Sequence, residues 1–314
     1  MTRRTLFLAV LIVAVAGSAL VGWLVTNARN DVVEVSLEEP GTTAGSVGAA
    51  GGEPLRIAVA AMTSPKSTFI YYQDVLEYIG AKTGRPVDLI QRESYEEVND
   101  LLEEGQLDMA FVCTGAYVEG HEEFGMEIIA GPVVYGAPEY YSYTIVSTDS
   151  TAVTFEDLRG STFAFTDPMS NTGTLVPTYL LGQMGETPDS FFSEYIYTYS
   201  HDRSIEAVAG GITDGAAVDS LIYDYLKATG DPVVTHTRVL ATSPPYGIPP
   251  VVVHPDLDPA LKAELRDVLL GMHADPKGRE ILSNIRIDRF EVVPDSSYDS
   301  VREMQAWSDA NATP

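Results

Sequence analysis

Cysteine is nearly absent from this 314-residue chain: Cys113 is the only one. No disulfide framework and no thiolate metal cluster can be built within one chain. Positive charge is scarce too, with 19 Lys and Arg against 45 Asp and Glu and a formal net charge of −26. Nucleic acid and anionic membrane surfaces need a basic face, so neither is a partner. Lysine is the scarcest charge, five residues against fourteen arginines. Surplus carboxylate of this kind keeps proteins soluble at high salt, and a salt-adapted or an ordinary acidic extracytoplasmic origin both suit it. The five histidines (His121, His201, His236, His254, His273) show no metal-ligand spacing. Walker A, GxSxG and GxGxxG motifs are missing. No catalytic residue, metal or cofactor is therefore predicted, and an enzyme is not expected. Cys113, in the apolar stretch AFVCTG, reads as a small core residue.

What is present begins with a long apolar run. Arg3 and Arg4 precede Leu6–Val25, about the 20 residues that cross a bilayer. Basic residues ahead of it put the N-terminus inside and the rest outside. Ala14-Val15-Ala16 offers a signal-peptidase site, but the run continues nine residues beyond it, which suits a retained anchor better. Residues 1–30 are thus read as a signal anchor, or a signal peptide if cut. Residues 31–54, ending in GTTAGSVGAAGGEP, read as a flexible linker. Only four acidic residues precede residue 53, so the negative charge belongs to residues 53–314. With 45% hydrophobic residues the chain is not a disordered acidic one.

From Leu55 onward short apolar runs alternate with helical stripes, the rhythm of a mostly parallel α/β sheet. LRIAVA (55–60), PVDLI (86–90), DMAFVC (108–113) and 127–135 read as strands. Phe69, Tyr72, Leu76 and Ile79 form one helical stripe, and Ser94-Tyr95-Glu96-Glu97 is a capping box opening another helix. Residues 140–147, 163–165, 195–199 and 216–218 read as a second set of strands. PPYGIPP (244–250) forbids a regular helix and reads as an extended crossover. The chain is thus expected to cross twice between two lobes, near 140–146 and 238–248. Lobe 1 would hold 55–142 plus 246–314, and lobe 2 residues 143–245. A cleft between such lobes is a favoured place for a small ligand.

Three strand ends carry the candidate chemistry. Thr166-Asp167-Pro168-Met169-Ser170-Asn171-Thr172-Gly173 joins a strand to a helix. Its hydroxyls and backbone N–H groups lie at the positive end of a helix dipole, an oxyanion site that needs no Lys or Arg. Plain N-capping accounts for the same residues. Ser200-His201-Asp202-Arg203-Ser204 is a second such junction, and GAAVDS (215–220) is a third, ending on Asp219. Open α/β sheets bind ligands at this carboxyl edge.

Together with AFV (110–112) and GAYV (115–118), the segments DPMSNTG (167–173), SHDRSIEAV (200–208) and GAAVDS (215–220) resemble the phosphate/phosphite/phosphonate substrate-binding proteins of ABC transporters. The resemblance covers most of residues 55–305. It implies the two-lobed type II periplasmic-binding-protein fold, with two crossover strands and a ligand cleft between lobes. It also implies that Ser170, Asn171, Thr172 and Gly173 hold phosphoryl oxygens, although Asn171 and Thr172 depart from the family's usual Ser-Thr-Ser-Gly. His201 would donate to another oxygen. Asp219 would accept a hydrogen bond from a protonated P–OH and so reject sulfate. Thr63, Ser64 and Tyr72 lie where the family has an anion-contacting loop and an aromatic residue, and Tyr117 lies in a strand-end aromatic motif. No amine partner follows Asp219-Ser220 except Asp224, which favours phosphate, phosphite or methylphosphonate over an aminoalkylphosphonate. The implied partners are a small phosphorus oxyanion, ABC permease subunits and the membrane through the N-terminal helix, and the chain is expected to be monomeric and extracytoplasmic. A sensory ectodomain, or the same fold holding a thiamine precursor or an organic anion, is the alternative.

Overall fold

The computed structural model describes residues 52–311, the side chains of Pro65 and Phe69 excepted. The expected anchor and nearly all of the expected linker lie outside the described residues, as does the side chain of Phe69 in the first helical stripe. Among the described residues no helix is long and apolar enough to cross a membrane.

Among the described residues thirteen strands form two main sheets and a two-stranded ribbon. In the first sheet, β1 (Leu55–Val59) runs parallel to β2 (Val87–Ile90) and β3 (Met109–Phe111), with Ile57 opposite both Leu89 and Met109. β4 (Glu127–Val134) completes the part built early in the chain. Late strands finish it: β12 (Val251–Val253) inserts antiparallel between β3 and β4, and β13 (Ile287–Glu291) closes the edge beside β4. β3 and β12 are continuous apolar runs, as is β1 apart from the exposed Arg56, because helices cover both faces of this sheet. Side chains alternate along β1, so Leu55, Ile57 and Val59 enter one core and Ala58 enters the other. Helices α1 (Pro65–Thr83), α8 (Pro259–Gly271) and α9 (Pro276–Asn284) close the first core. Helices α2 (Tyr95–Glu103), α3 (Thr114–Phe124) and α10 (Asp299–Asn311) close the second.

The second sheet has the order β10-β6-β9-β7-β8. β7 (Thr162–Phe165), β8 (Glu194–Tyr197) and β9 (Gly215–Asp219) are parallel, so their carboxyl ends open on one rim. β6 (Ser142–Ser147) and β10 (Thr237–Thr242) are antiparallel additions. Phe163, Phe165 and Phe191 fill one core, beside α4 (Val176–Gln183) and α5 (Pro188–Phe191). Ile145, Ile205 and Val218 fill the other, beside α6 (His201–Ala209) and α7 (Ser220–Thr229).

The remaining ribbon pairs β5 (Glu139–Tyr140) with β11 (Tyr246–Gly247), Tyr140 opposite Tyr246, so the two passages between lobes run side by side. The stretch 238–253, read from its prolines as one crossover, divides into three strands in three different sheets. Only β11 lies in the crossover. Helix α3 carries no strong signal in the sequence, because Gly115 and Gly120 sit inside it. A Cβ at Gly115 would collide with the backbone oxygen of Met169, so packing demands that glycine; at Gly120 it would meet the movable end of the Met126 side chain.

Candidate functional site

Each of the three parallel strands of lobe 2 ends on a helix, and each junction places a polar group on the same rim. After β7, Ser170 caps a π-type turn, Asn171–Leu175, in which the Leu175 N–H reaches back to Ser170 O at 2.9 Å. Such widened turns concentrate at functional sites. Ser170 Oγ accepts the Gly173 N–H at 3.0 Å, so that amide is already engaged. Gly173 is needed for close approach, since a Cβ there would overlap Thr166 Oγ1. Ser142 Oγ donates to Thr172 O at 2.6 Å and fixes the turn to β6. Asn171 Nδ2 donates to Tyr140 Oη at 3.0 Å.

After β8, His201 opens α6 and is fully buried. Its Nδ1 accepts the Asp219 backbone N–H at 3.1 Å, which puts the ring proton on Nε2. Burial pushes the imidazole down to about 3, so it is neutral at physiological pH. After β9, Asp219 caps α7, its Oδ1 accepting the Leu221 N–H at 2.6 Å. Burial pushes this carboxyl up to about 7, against the pull of the Leu221 and Ile222 amides. Asp219 therefore carries a proton readily near neutral pH.

Ten buried side-chain N and O atoms among the described residues have no hydrogen-bond partner, and six belong to this rim or face it. They are Tyr95 Oη, Thr166 Oγ1, Asn171 Oδ1, Thr172 Oγ1, Ser200 Oγ and His201 Nε2. Leaving such a group unpaired costs about 1–3 kcal/mol, so six at these junctions make a candidate binding site. Four are hydroxyl donors and His201 Nε2–H is a fifth donor. The Asn171 amide can turn about its last bond and present either N–H or C=O, with Tyr140 Oη serving as partner in both states. No Lys or Arg belongs to the cluster. It is a neutral donor cage with one titratable acid, suited to an oxyanion that keeps a proton.

Lobe 1 supplies Tyr95, the first residue of α2, which is fully buried. The crossover supplies Tyr140, also fully buried. The Tyr95 N–H donates to Asp167 at 3.0 Å and Tyr140 Oη accepts the Asn171 amide at 3.0 Å, so both residues stand at the first strand-end junction of lobe 2. Neither tyrosine is evident from the sequence, where Tyr95 is one letter of a capping box and Tyr140 one of several strand tyrosines. A hydroxyl-bearing aromatic at the first turn of a cleft-facing helix is the signal that marks Tyr95.

Of the lobe 1 residues expected from sequence, Thr63 and Ser64 hold the lobes together or hold their own loop. Thr63 Oγ1 is 2.9 Å from Thr68 Oγ1. The Ser64 N–H meets both carboxylate oxygens of Asp202, at 2.9 and 3.0 Å, and its Oγ donates to Ser67. His201 N–H donates to Met62 O at 3.0 Å, and Asp167 Oδ2 accepts the Tyr95 N–H at 3.0 Å. These three contacts latch lobe 2 to lobe 1 across the cleft. Tyr72 stands beside Asp219 in an adjoining apolar cavity, with its ring 5.0 Å from Phe111. Tyr117 is turned elsewhere: its hydroxyl donates to Asp295 and its ring packs 4.8 Å from Tyr298. Cys113 is buried, its thiol pushed up to about 11, which suits a core residue.

Residues 57–298 match the family model described as ABC transporter, phosphonate, periplasmic substrate-binding protein. The chain belongs to this family. Its members are binding proteins of transporters and not enzymes. A curated relative, the phosphate-import protein PhnD of Mycolicibacterium smegmatis, is 29% identical over 195 residues, 58% of this chain and 61% of its own length. The match thus spans less than two thirds of that relative. Among solved structures, a binding protein component of an ABC phosphonate transporter from Pseudomonas aeruginosa superposes with a TM-score of 0.78 at 23% identity, over 83% of this chain and 88% of its own. PhnD1 from Prochlorococcus marinus, solved with methylphosphonate, gives 0.74 at 17% identity, over 81% and 98%. These likenesses bear out the two-lobed periplasmic-binding-protein fold.

Proposed function

We propose that the chain captures a small phosphorus oxyanion outside the cytoplasm and delivers it to the permease of an ABC importer. The observation that carries this reading is the cage itself: buried neutral donors from both lobes and one carboxyl near neutrality, with no fixed positive charge. Hydroxyls and imidazole N–H give the oxygens their partners. The remaining Asp219 oxygen shares a proton with P–OH. Sulfate has no such proton, so once Asp219 is ionised, above about pH 7, its charge would face the carboxylate directly. The names of the relatives support the same class, one being a phosphate-import protein and another binding methylphosphonate.

The mechanism is domain closure. The ligand enters the open cleft and bonds to the strand-end junctions of lobe 2. Lobe 1 then swings in about the β5–β11 ribbon and brings Tyr95 to the anion. The Asp202–Ser64, His201–Met62 and Asp167–Tyr95 contacts form at that point. The net charge of −26 opposes long-range attraction of an anion. Salt confines that repulsion to about 10 Å at 0.1 M, so recognition acts at contact range. We read residues 1–30 as the tether that keeps a monomeric receptor near its permease.

Thermal-shift and calorimetric titration of the full-length chain with phosphate, phosphite, methylphosphonate and sulfate tests the reading. At least one phosphorus oxyanion is expected to raise the melting temperature by mass action. No shift with any of them, in protein shown to be folded, would overturn it.

A further inference from the structure

Beside the donor cage lies an apolar cavity of about 120 Å³ that the anion itself does not need. Its floor is made by strand ends of lobe 1, including Val59, Phe111 and Pro250, and its roof by Leu221, Ile222 and Tyr225 of α7 in lobe 2. The same closure that buries the cage therefore also covers the cavity. Across it the Tyr71 and Tyr225 rings meet edge to face at 4.9 Å.

We propose that the cleft is bipartite, the cavity receiving a short apolar group attached to the phosphorus that the cage holds. The preferred ligand is then a monosubstituted phosphonate or phosphate ester with an alkyl or aryl group of about four to six carbons. This rests on the reading of the cage as a phosphorus-oxyanion site. Three observations carry it. First, the two compartments meet at Asp219, which lines the cavity and whose backbone N–H donates to His201 Nδ1 of the cage at 3.1 Å. A phosphorus whose P–OH is hydrogen-bonded to Asp219 thus stands at the cavity's entrance. Second, size and chemistry are compatible: at about 120 Å³ the cavity is a little smaller than the apolar cavity of about 150 Å³ that holds benzene, and its walls are mainly aliphatic and aromatic. Third, Asp219 is the one carboxylate among the cavity's lining residues and the oxyanion engages it, so an ammonium group carried deeper into the cavity meets no acid. Asp224, the carboxylate nearest in sequence, accepts the Tyr143 hydroxyl at 3.1 Å and does not line the cavity. The charged group at the opposite wall is Arg286. Arg286 (φ 61°) and its neighbour at the cavity, Tyr135 (φ 51°), both hold left-handed backbone, a strain that tends to cluster at ligand clamps.

The test is calorimetric titration of the full-length chain with phosphate, methylphosphonate, butylphosphonate, phenylphosphonate and 2-aminoethylphosphonate. Each buried methylene is expected to tighten binding about fourfold. Butylphosphonate should therefore bind at least about tenfold tighter than methylphosphonate, and 2-aminoethylphosphonate no tighter. Val134→Trp, which fills the cavity from β4, should abolish the gain for butyl and phenyl groups and leave methylphosphonate unchanged. If phosphate or methylphosphonate binds while longer groups bind equally or more weakly, the bipartite cleft is wrong and the proposed function stands. If the gain survives Val134→Trp, the substituent lies elsewhere and this inference fails. If no phosphorus compound binds, both readings fall. Should Val134→Trp not fold, the ligand series on the parent chain still decides.

Discussion

The two lobes face one cleft with unequal equipment. Lobe 2 brings three parallel strand ends to it, and each delivers a polar group through its helix cap: Thr172, His201 and Asp219. Lobe 1 brings Tyr95 and otherwise offers backbone, the Ser64 N–H and the Met62 carbonyl, to groups of lobe 2. The contrast separates two tasks. On the proposed function, lobe 2 would hold the anion and lobe 1 would close on it. A site divided in this way binds first on one lobe and gains its last contacts by motion.

Substitutions can break the comparison on either side. The largest effect is expected on lobe 2. His201→Ala removes a buried donor and also strands the Asp219 N–H, and a hydrogen bond to a charged group is worth about 1.5–3 kcal/mol. Phosphate affinity should fall about a hundredfold in calorimetry. Asp202→Ala touches no ligand atom, so it should act on closure alone. An affinity loss of about tenfold is expected, mostly as faster dissociation in stopped-flow measurements. An equal loss of association rate would argue that the Ser64 contact forms before the ligand arrives. Smaller effects are expected from lobe 1. Tyr95→Phe deletes one hydroxyl and should weaken binding about three- to tenfold. Tyr117→Phe, whose hydroxyl serves Asp295, should leave affinity unchanged and lower stability by about 1 kcal/mol in denaturant titration. If Tyr117→Phe weakens binding as much as Tyr95→Phe, the division of labour is misplaced.

The same inequality explains what could be read in the sequence. The rim of lobe 2 is written locally: Ser170-Asn171-Thr172-Gly173, Ser200-His201 and Asp219-Ser220 each record a strand end, a cap and a helix start within a few residues. The alternation of apolar runs and helical stripes likewise made the two-lobed fold legible. Tyr95 and Tyr140 were not legible, because their place comes from distant partners. Tyr95 is drawn to the cage by Asp167, which lies 72 residues away, and Tyr140 by the pairing of β5 with β11. Tyr117 shows the reverse. Its motif pointed to the cleft, but Asp295, 178 residues later, takes its hydroxyl. Helix α3 was hidden for a similar reason, since the contact that requires Gly115, with Met169 O, is tertiary.

The account turns on a proton shared between Asp219 and the ligand. Below about pH 7 that proton is present in the free site, because burial holds the carboxyl up to about 7. Well above pH 7 the carboxylate is ionised, HPO4²⁻ still carries a P–OH proton to donate to it and sulfate carries none, so the preference for phosphate over sulfate should widen as pH rises. The most direct measurement is the ratio of phosphate to sulfate affinity, by calorimetry from pH 6 to 9, for the parent chain and for Asp219→Asn. The account predicts that the parent binds phosphate at least about a hundredfold tighter than sulfate. It also predicts that Asp219→Asn, whose amide can donate to either anion, removes most of that ratio and its pH dependence. Sulfate bound as tightly as phosphate by the parent, or a ratio unchanged in Asp219→Asn, would contradict it.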